Sequence, residues 1–184
     1  MNEKKLAVIL PGIGYHKDKP LLYYAAKLAE KLGYKVIFVE YHDLPEKVKG
    51  NREKMIAAFD LAFAQTREYL KSEDYSRYED VVFIGKSIGT AVESAYVKQY
   101  DVPARQIWYT PVEATFSKGS KDVLAFIGDA DPWSDVAKVK QMAAEQGIKL
   151  HSYEACNHSL ECEDILKNIR ILQDVMEKTA AFLK

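Results

Sequence analysis

Six short runs of β-branched, aliphatic and aromatic residues recur along the chain, and helical patterns separate them. The runs are KLAVILPG, KVIFVEY, DVVFIG, QIWYTPV, DVLAFIG and a weaker sixth, KLHSYEA. Strands that are apolar along their whole length are typical of parallel sheets covered on both faces. The alternation therefore predicts an α/β fold, a three-layer α/β/α sandwich around a mostly parallel sheet of about six strands.

Five helical patterns accompany these strands. In the first, apolar residues recur at helical spacing between Pro20, placed to open a helix, and Gly33, placed to close it. Further helices are predicted over residues 51–71, from after Ser87 to about residue 100, and over 134–146, and a long last helix carries an apolar stripe from Ile165 to Met176. The connections are short and no linker interrupts them, so we expect residues 1–184 to form a single domain.

Charge and composition exclude several classes of partner. Lys and Arg number 26 against 27 Asp and Glu, so no overall field attracts nucleic acid or an acidic membrane. The apolar stretch before Pro11 is too short for a secretory signal or a membrane span of roughly 20 residues, which predicts a cytoplasmic protein. Cys156 and Cys162 have no metal-type spacing and are expected to be reduced side chains without a function.

Cofactor signals are weak. No histidine pair has the i, i+4 helical spacing of a zinc site, so we expect no metal. The glycines of PGIGYHKDK complete neither GxxxxGK(S/T) nor GxGxxG, the two common phosphate-binding patterns, so we expect no nucleotide and no other cofactor. The sequence leaves the oligomeric state open.

The segment VVFIGKSIGT contains Gly-x-Ser-x-Gly at residues 85–89, where an apolar strand stops. In this pattern a sharp strand-to-helix turn lifts the serine, here Ser87, out of the sheet. A side chain at Gly85 or Gly89 would crowd the neighbouring strand and the incoming helix, which is why both positions are glycine. The N–H of Ile88 can then donate to an oxyanion. A serine that only caps the following helix is the alternative.

Serine is a weak nucleophile and needs a base, which in turn needs an acid to orient it. Asp129 and Asp131 follow the strand DVLAFIG, and His158 follows the last candidate strand. The order Ser, Asp, His is that of the nucleophile elbow enzymes. In these three motifs, and in a strand and helix alternation over nearly the whole chain, the sequence resembles the α/β-hydrolase superfamily, and within it a small serine esterase without a cap.

The resemblance implies roles for individual residues. Ser87 would be the nucleophile, His158 the general base and then acid, and Asp131 the orienting carboxylate, with Asp129 as the competitor. The loop after the first strand, Pro11-Gly12-Ile13-Gly14-Tyr15, looks like the superfamily's oxyanion loop. Ile13, with Gly14 as the alternative, and Ile88 would provide the backbone N–H groups of the oxyanion hole.

The resemblance also bears on the substrate. Only EATFSKGSK separates QIWYTPV from DVLAFIG, where many members insert a cap, so we expect an open site that favours small acyl groups over lipids. Possible substrate contacts are Gly12, Gly14, Tyr15, Lys86 and Trp133. Tyr15 and Trp133 could equally be ordinary partly buried aromatic residues with no contact to a substrate. Lys86 and Glu113 are more commonly solvated charges, and His16 and His42 more commonly surface loop residues.

Two functions remain after this reasoning. The first is a serine hydrolase that cleaves a small carboxyl ester or thioester through an acyl-enzyme on Ser87, with a small-molecule acyl substrate as its partner and no role for nucleic acid or membrane. The second is a catalytically silent binding protein with the same fold. Amide, lactone and carbon–carbon bond hydrolysis use the same machinery, so the type of bond stays open.

Overall fold

The computed structural model describes residues 4–184, and one six-stranded sheet runs through it. The strands are β1 (Lys5–Leu10), β2 (Tyr34–Phe38), β3 (Asp80–Lys86), β4 (Arg105–Tyr109), β5 (Val123–Gly128) and β6 (Lys149–Tyr153). Their order is β2-β1-β3-β4-β5-β6, and every neighbouring pair is parallel. The predicted sheet is confirmed. The weakest sequence run forms the edge strand β6, which has only one neighbour and therefore needs fewer apolar residues.

Five α-helices cover the two faces of the sheet: α1 (Pro20–Lys31), α2 (Arg52–Leu70), α3 (Ile88–Gln99), α4 (Val136–Glu145) and α5 (Ile165–Leu183). Helices α1 and α5 share one face with side chains such as Ile9 and Ile84. Helices α2 and α3 cover the other face around Val8 and Phe83, and α4 packs beside them against Trp108. The predicted three-layer sandwich is thus confirmed.

Local signals in the sequence explain where the helices begin and end. Pro20 is the first residue of α1, where its missing N–H costs nothing, and Gly33 follows the helix with φ +87°. Side chains cap three other helices: Asn51, Asp135 and Asp164 each accept a backbone N–H from the first turn that follows. Between β4 and β5 lies a 3₁₀ helix, Glu113–Lys118.

The strand order places the segments after β1 and β3 on either side of a crevice. From β1 the chain crosses to β2 on one side and then returns to β3 on the other, so β1 and β3 are neighbours. Loops that leave such a pair diverge and open a crevice at the carboxyl ends of the strands, where open α/β sheets bind ligands. The segments after β1 and β3 are those that carry Ile13 and Ser87. Among the helices within residues 4–184, none has the combined length and apolar character that a membrane crossing requires.

Candidate active site

Ser87 lies directly after β3 in a backbone conformation that few non-glycine residues adopt. Its φ is 57° and its ψ is −122°, a region that costs of order 1–3 kcal/mol for a residue with a Cβ. A hydrogen bond from the Ser87 N–H to the carbonyl of Tyr109 (3.0 Å) helps to hold this turn. Ser87 precedes α3 but makes no side-chain capping bond to it. Capping the helix is therefore not what the hydroxyl does.

Gly85 and Gly89 allow the turn for the steric reason expected from the sequence. A Cβ on Gly89 would lie 2.5 Å from the carbonyl oxygen of Leu10 and 2.7 Å from that of Pro11. A Cβ on Gly85 would lie 2.8 Å from the backbone nitrogen of Thr90 and would also strike the Glu93 carboxyl. Strand β1 and the start of α3 approach the elbow too closely for any side chain, and this part of the prediction is confirmed.

Three side chains form a continuous hydrogen-bonded chain at the elbow. The Ser87 Oγ lies 2.7 Å from His158 Nε2, and His158 Nδ1 lies 2.6 Å from Asp131 Oδ2. A carboxylate only accepts, so Nδ1 carries the imidazole proton and Nε2 accepts from the serine hydroxyl. The second carboxylate oxygen of Asp131 accepts the Trp133 N–H at 2.8 Å, and its side chain is fully buried.

Asp129, the competing carboxylate, faces elsewhere. Its Oδ1 accepts the N–H of Ala155 at 2.6 Å, and its own N–H donates to the carbonyl of Tyr153 at 3.0 Å. These bonds join the end of β5 to the end of β6. The structure therefore brings Asp131 to His158 and gives Asp129 a local role in the turn.

The loop after β1 approaches the elbow from the other side. Gly12 and Tyr15 exchange backbone hydrogen bonds of 3.1 and 3.3 Å around Ile13 and Gly14, and Gly14 has φ +71°. A Cβ on Gly12 would lie 3.2 Å from the Cβ of Ser87, which shows how closely the loop approaches the serine.

Two backbone donors border Ser87 without an acceptor. In the part of the chain that the structure describes, neither the Ile13 N–H nor the Ile88 N–H donates to a protein acceptor. Ile88 is the first residue of α3, where the helix itself offers no acceptor. Both residues line the same pocket as Ser87, so the two N–H groups are available to a bound oxyanion.

Electrostatics favour the neutral form of His158. Burial lowers the pKa of His158 below its usual 6.5, and the positive charge of Lys86 lowers this pKa further, while the hydrogen bond to Asp131 opposes both effects. A neutral imidazole is the form that can accept a proton from Ser87.

Lys86 corrects one interpretation of the sequence, because it is not a solvated surface charge. Its side chain is 1% exposed, and its Nζ lies 4.9 Å from the centre of the Tyr15 ring. Burial lowers the pKa of Lys86 to about 7, while the Asp131 carboxylate raises it. A residue at the end of a central strand faces packed neighbours whatever its polarity, which the local sequence alone does not indicate.

The two aromatic candidates differ in their surroundings. Tyr15 is buried in the core under α1, where its hydroxyl accepts the N–H of Leu21 at 3.1 Å. Trp133 is 39% exposed and stacks on the His158 ring, with 5.8 Å between ring centres. Both residues border the pocket. Trp133 is thus the better placed of the two to contact a substrate.

Three polar candidates lie away from the pocket that Ser87 borders. His16 pairs with the exposed Asp18, and the backbone of His42 exchanges hydrogen bonds with the Gln65 amide. Glu113 accepts the N–H of Asp135 at 3.1 Å. His16 and His42 are exposed loop residues, and Glu113 begins the 3₁₀ helix after β4.

The pocket beside Ser87 has a volume of about 450 Å³ and is walled largely by apolar side chains. Its walls come from α2, from α3 and from the segment after β4, namely Met55, Ile56, Phe59, Ala91, Ala95, Val112 and Ala114. An open site without a cap was expected to favour small acyl groups, but the pocket has a more extensive apolar wall than that expectation allowed. The short segment between β4 and β5 adds little to this wall, whereas α2 reaches the site by packing on α3.

Comparisons with known proteins agree with the fold. Neither a protein-family profile nor a curated protein matches the sequence. The chain is similar to an α/β serine hydrolase homologue from Coxiella burnetii (15% identity, TM-score 0.65, 96% of this chain and 85% of that one). It is also similar to an esterase from Pyrococcus furiosus (13%, 0.69, 98% and 82%) and to Est1E from Butyrivibrio proteoclasticus (12%, 0.63, 98% and 90%). The protein has the α/β-hydrolase fold.

Proposed function

We propose that this protein is a serine hydrolase that cleaves a carboxyl ester or thioester through an acyl-enzyme on Ser87. The observation that carries the proposal is the hydrogen-bonded chain from Ser87 through His158 to the buried Asp131, at 2.7 and 2.6 Å. Fold neighbours that include a serine hydrolase homologue and an esterase add support. Fold alone would not suffice, since the same fold also serves other functions.

Acylation begins when the Ser87 Oγ attacks the acyl carbonyl and its proton passes to His158 Nε2. Asp131 accepts the Nδ1–H of the imidazole, which keeps the correct tautomer and stabilises the imidazolium that forms. The oxyanion of the tetrahedral intermediate accepts hydrogen bonds from Ile13 and Ile88, worth about 3 to 4 kcal/mol per donor in comparable sites. The leaving alcohol or thiol then takes the proton from Nε2.

Deacylation repeats these steps with water as the nucleophile. His158 removes a proton from the water, which attacks the acyl-enzyme, and the same two N–H groups stabilise the second oxyanion. The proton then returns from His158 to the Ser87 oxygen as the carboxylic acid leaves. The protein ends the cycle in its starting protonation state.

The apolar pocket indicates how the acyl group is held. A volume of about 450 Å³ lies within the roughly 300–1,000 Å³ typical of small-molecule sites. We propose that the acyl chain lies between α2 and α3, so that chains of several carbons are accepted as well as acetyl groups. In this proposal residues 1–184 act as one domain without a cap. Helix α2 forms the wall of the acyl pocket that an inserted cap forms in other α/β-hydrolases.

Labelling with a fluorophosphonate probe tests the nucleophile. The wild-type protein should be labelled, Ser87→Ala should not, and Ser159→Ala is the matched control because Ser159 borders the same pocket. Labelling that survives in Ser87→Ala, or absence of labelling in folded wild type, would contradict the proposal. The second result would favour a silent binding protein. A panel of p-nitrophenyl esters and acyl-CoA thioesters then defines the bond type and chain length.

A further inference from the structure

Two cysteines flank the turn that carries His158. Within that turn the N–H of Asn157 donates to the carbonyl of Glu161 at 2.9 Å, and the N–H of Leu160 donates to the carbonyl of Asn157 at 3.0 Å. Cys156 and Cys162 lie directly outside the residues joined by the first of these bonds. His158 lies within the segment that this bond closes.

This hydrogen-bond pattern places Cys156 opposite Cys162. The bond from the Asn157 N–H to the Glu161 carbonyl closes the turn, and the Glu161 N–H donates to Asn157 Oδ1 at 3.2 Å, so the residues just outside lie on facing arms. A disulfide spans Cα separations of about 4.4–6.8 Å. Both cysteines are free: the Cys156 thiol donates to the carbonyl of Glu154 at 3.5 Å and the Cys162 thiol to the carbonyl of Asp164 at 3.7 Å.

Both cysteines are attached to the body of the protein, but they differ in accessibility. The carbonyl of Cys156 accepts the Ala130 N–H at 3.0 Å, and its side chain is fully buried. Cys162 is partly exposed and is held at the start of α5 by Asn168, which accepts the Cys162 N–H at 2.7 Å and donates to its carbonyl at 3.0 Å.

We propose that Cys156 and Cys162 form a reversible disulfide that moves His158 and switches the site off. The effect on catalysis rests on the proposed hydrolase function, whereas formation of the disulfide does not. In a reducing compartment such bonds are typically transient and regulatory.

The chemistry is thiol–disulfide exchange with a small-molecule disulfide as the oxidant. The thiolate of Cys162, the accessible cysteine, attacks one sulfur of the oxidant, breaks its S–S bond and releases one small thiolate. Cys156 then loses its proton and attacks the Cys162 sulfur of the mixed disulfide, which releases the second thiolate. Two protein thiols are oxidised and one small disulfide is reduced to two thiols. Burial raises the pKa of Cys156, which leaves less of the reactive thiolate there and makes Cys162 the first to attack.

The geometry explains why the bond would act on catalysis. Closing it takes each thiol from its present carbonyl acceptor and brings the two sulfurs to about 2.05 Å, across a turn whose two ends are anchored to different elements. The displacement falls on the residues between them, and His158 is only two residues from Cys156. A shift of about 1 Å in a catalytic group can reduce rates by about 100-fold.

The first experiment tests the bond itself. Reduced full-length protein is incubated with oxidised glutathione, and its thiols and intact mass are measured. Wild type should lose both thiols and about 2 Da, and a peptide map should join Cys156 to Cys162. Cys156→Ser should stop at a mixed disulfide on Cys162, and Cys162→Ser should keep its buried thiol. A wild type that retains both thiols, or that stops at the mixed disulfide, would overturn the proposal.

The second experiment tests the switch with two independent readouts. Fluorophosphonate labelling of Ser87 should slow by about 100-fold in the oxidised protein and recover with dithiothreitol. The fluorescence of Trp133, which stacks on His158, should change as well, while the buried Trp108 is a constant background. If the reduced protein is never labelled, the hydrolase proposal fails but fluorescence still tests the movement. A disulfide that changes neither readout contradicts the switch.

Discussion

Asp131 contacts His158 through a single short hydrogen bond, with 2.6 Å between Oδ2 and Nδ1, while its other oxygen is held by a backbone N–H. Both oxygens of the carboxylate are thus fixed before any substrate arrives. Pro132 follows Asp131 and disfavours helical backbone there, which keeps the segment extended enough to reach His158. Asp129, two residues earlier, is bound to the turn next to β6.

The first prediction separates the two aspartates. Asp131→Asn should lower kcat by about three to four orders of magnitude, because an amide cannot hold the imidazole in the correct tautomer. Asp129→Asn, the matched control, should keep most of the activity and lose roughly 1 kcal/mol or more of stability through its turn bonds. Ester hydrolysis and thermal midpoints of both variants provide the measurement. The reverse pattern would make Asp129 the acid.

The second prediction concerns pH. His158 accepts a proton only when neutral, so kcat/KM should fall as pH drops through its pKa, which burial and Lys86 hold below 6.5. Lys86→Met removes a positive charge that lowers this pKa, so the acidic limb should move to higher pH. Lys140→Met, on the exposed side of α4, is the control and should leave the profile unchanged. An acidic limb that stays in place in Lys86→Met would show that Lys86 does not act on His158.

The third prediction concerns Glu93, a fully buried carboxyl under the elbow, neither of whose oxygens has a partner within residues 4–184. Burial raises the pKa of Glu93 well above 4.5. Above that pH the unfolded chain ionises while the folded protein keeps its proton, so this group makes stability fall as pH rises. Glu93→Gln cannot ionise in either state. Its thermal midpoint relative to wild type should therefore rise between about pH 5 and about pH 8.

A constant offset between Glu93→Gln and wild type at every pH would contradict the third prediction. Glu154→Gln provides the control, because Glu154 is exposed and its substitution should leave the pH dependence of wild type unchanged.

The fourth prediction concerns the pocket. Ala95 borders it two turns along α3 from Ser87, so a larger side chain there should close the far end. Ala95→Phe should reduce kcat/KM for octanoyl esters by at least about tenfold relative to acetyl esters. Ala144→Phe adds the same volume on the exposed side of α4 and should leave the ratio unchanged. An unchanged chain-length profile in Ala95→Phe would place the acyl chain outside this pocket.

Much of this protein could be predicted from local sequence patterns. Apolar runs and helical periodicity gave the six strands and five helices, because burial on both faces of a sheet or on one side of a helix leaves a repeat in the sequence. The sharp turn at Ser87 could also be predicted from the sequence. Gly85 and Gly89 are required by steric contacts with residues nearby in the chain and with the end of the adjacent β1.

Other features were decided only by tertiary packing. Two aspartates lie two residues apart, and only the path of the loop determines that Asp131 reaches His158. Lys86 is buried because a central strand ends beneath Tyr15, although lysine is usually solvated. The apolar pocket depends on α2, whose lining residues Met55, Ile56 and Phe59 precede Ser87 by about thirty positions. A sequence pattern does not indicate which distant helix will pack beside a site. Local energies fix local structure, whereas contacts between distant segments arise only when the whole chain folds.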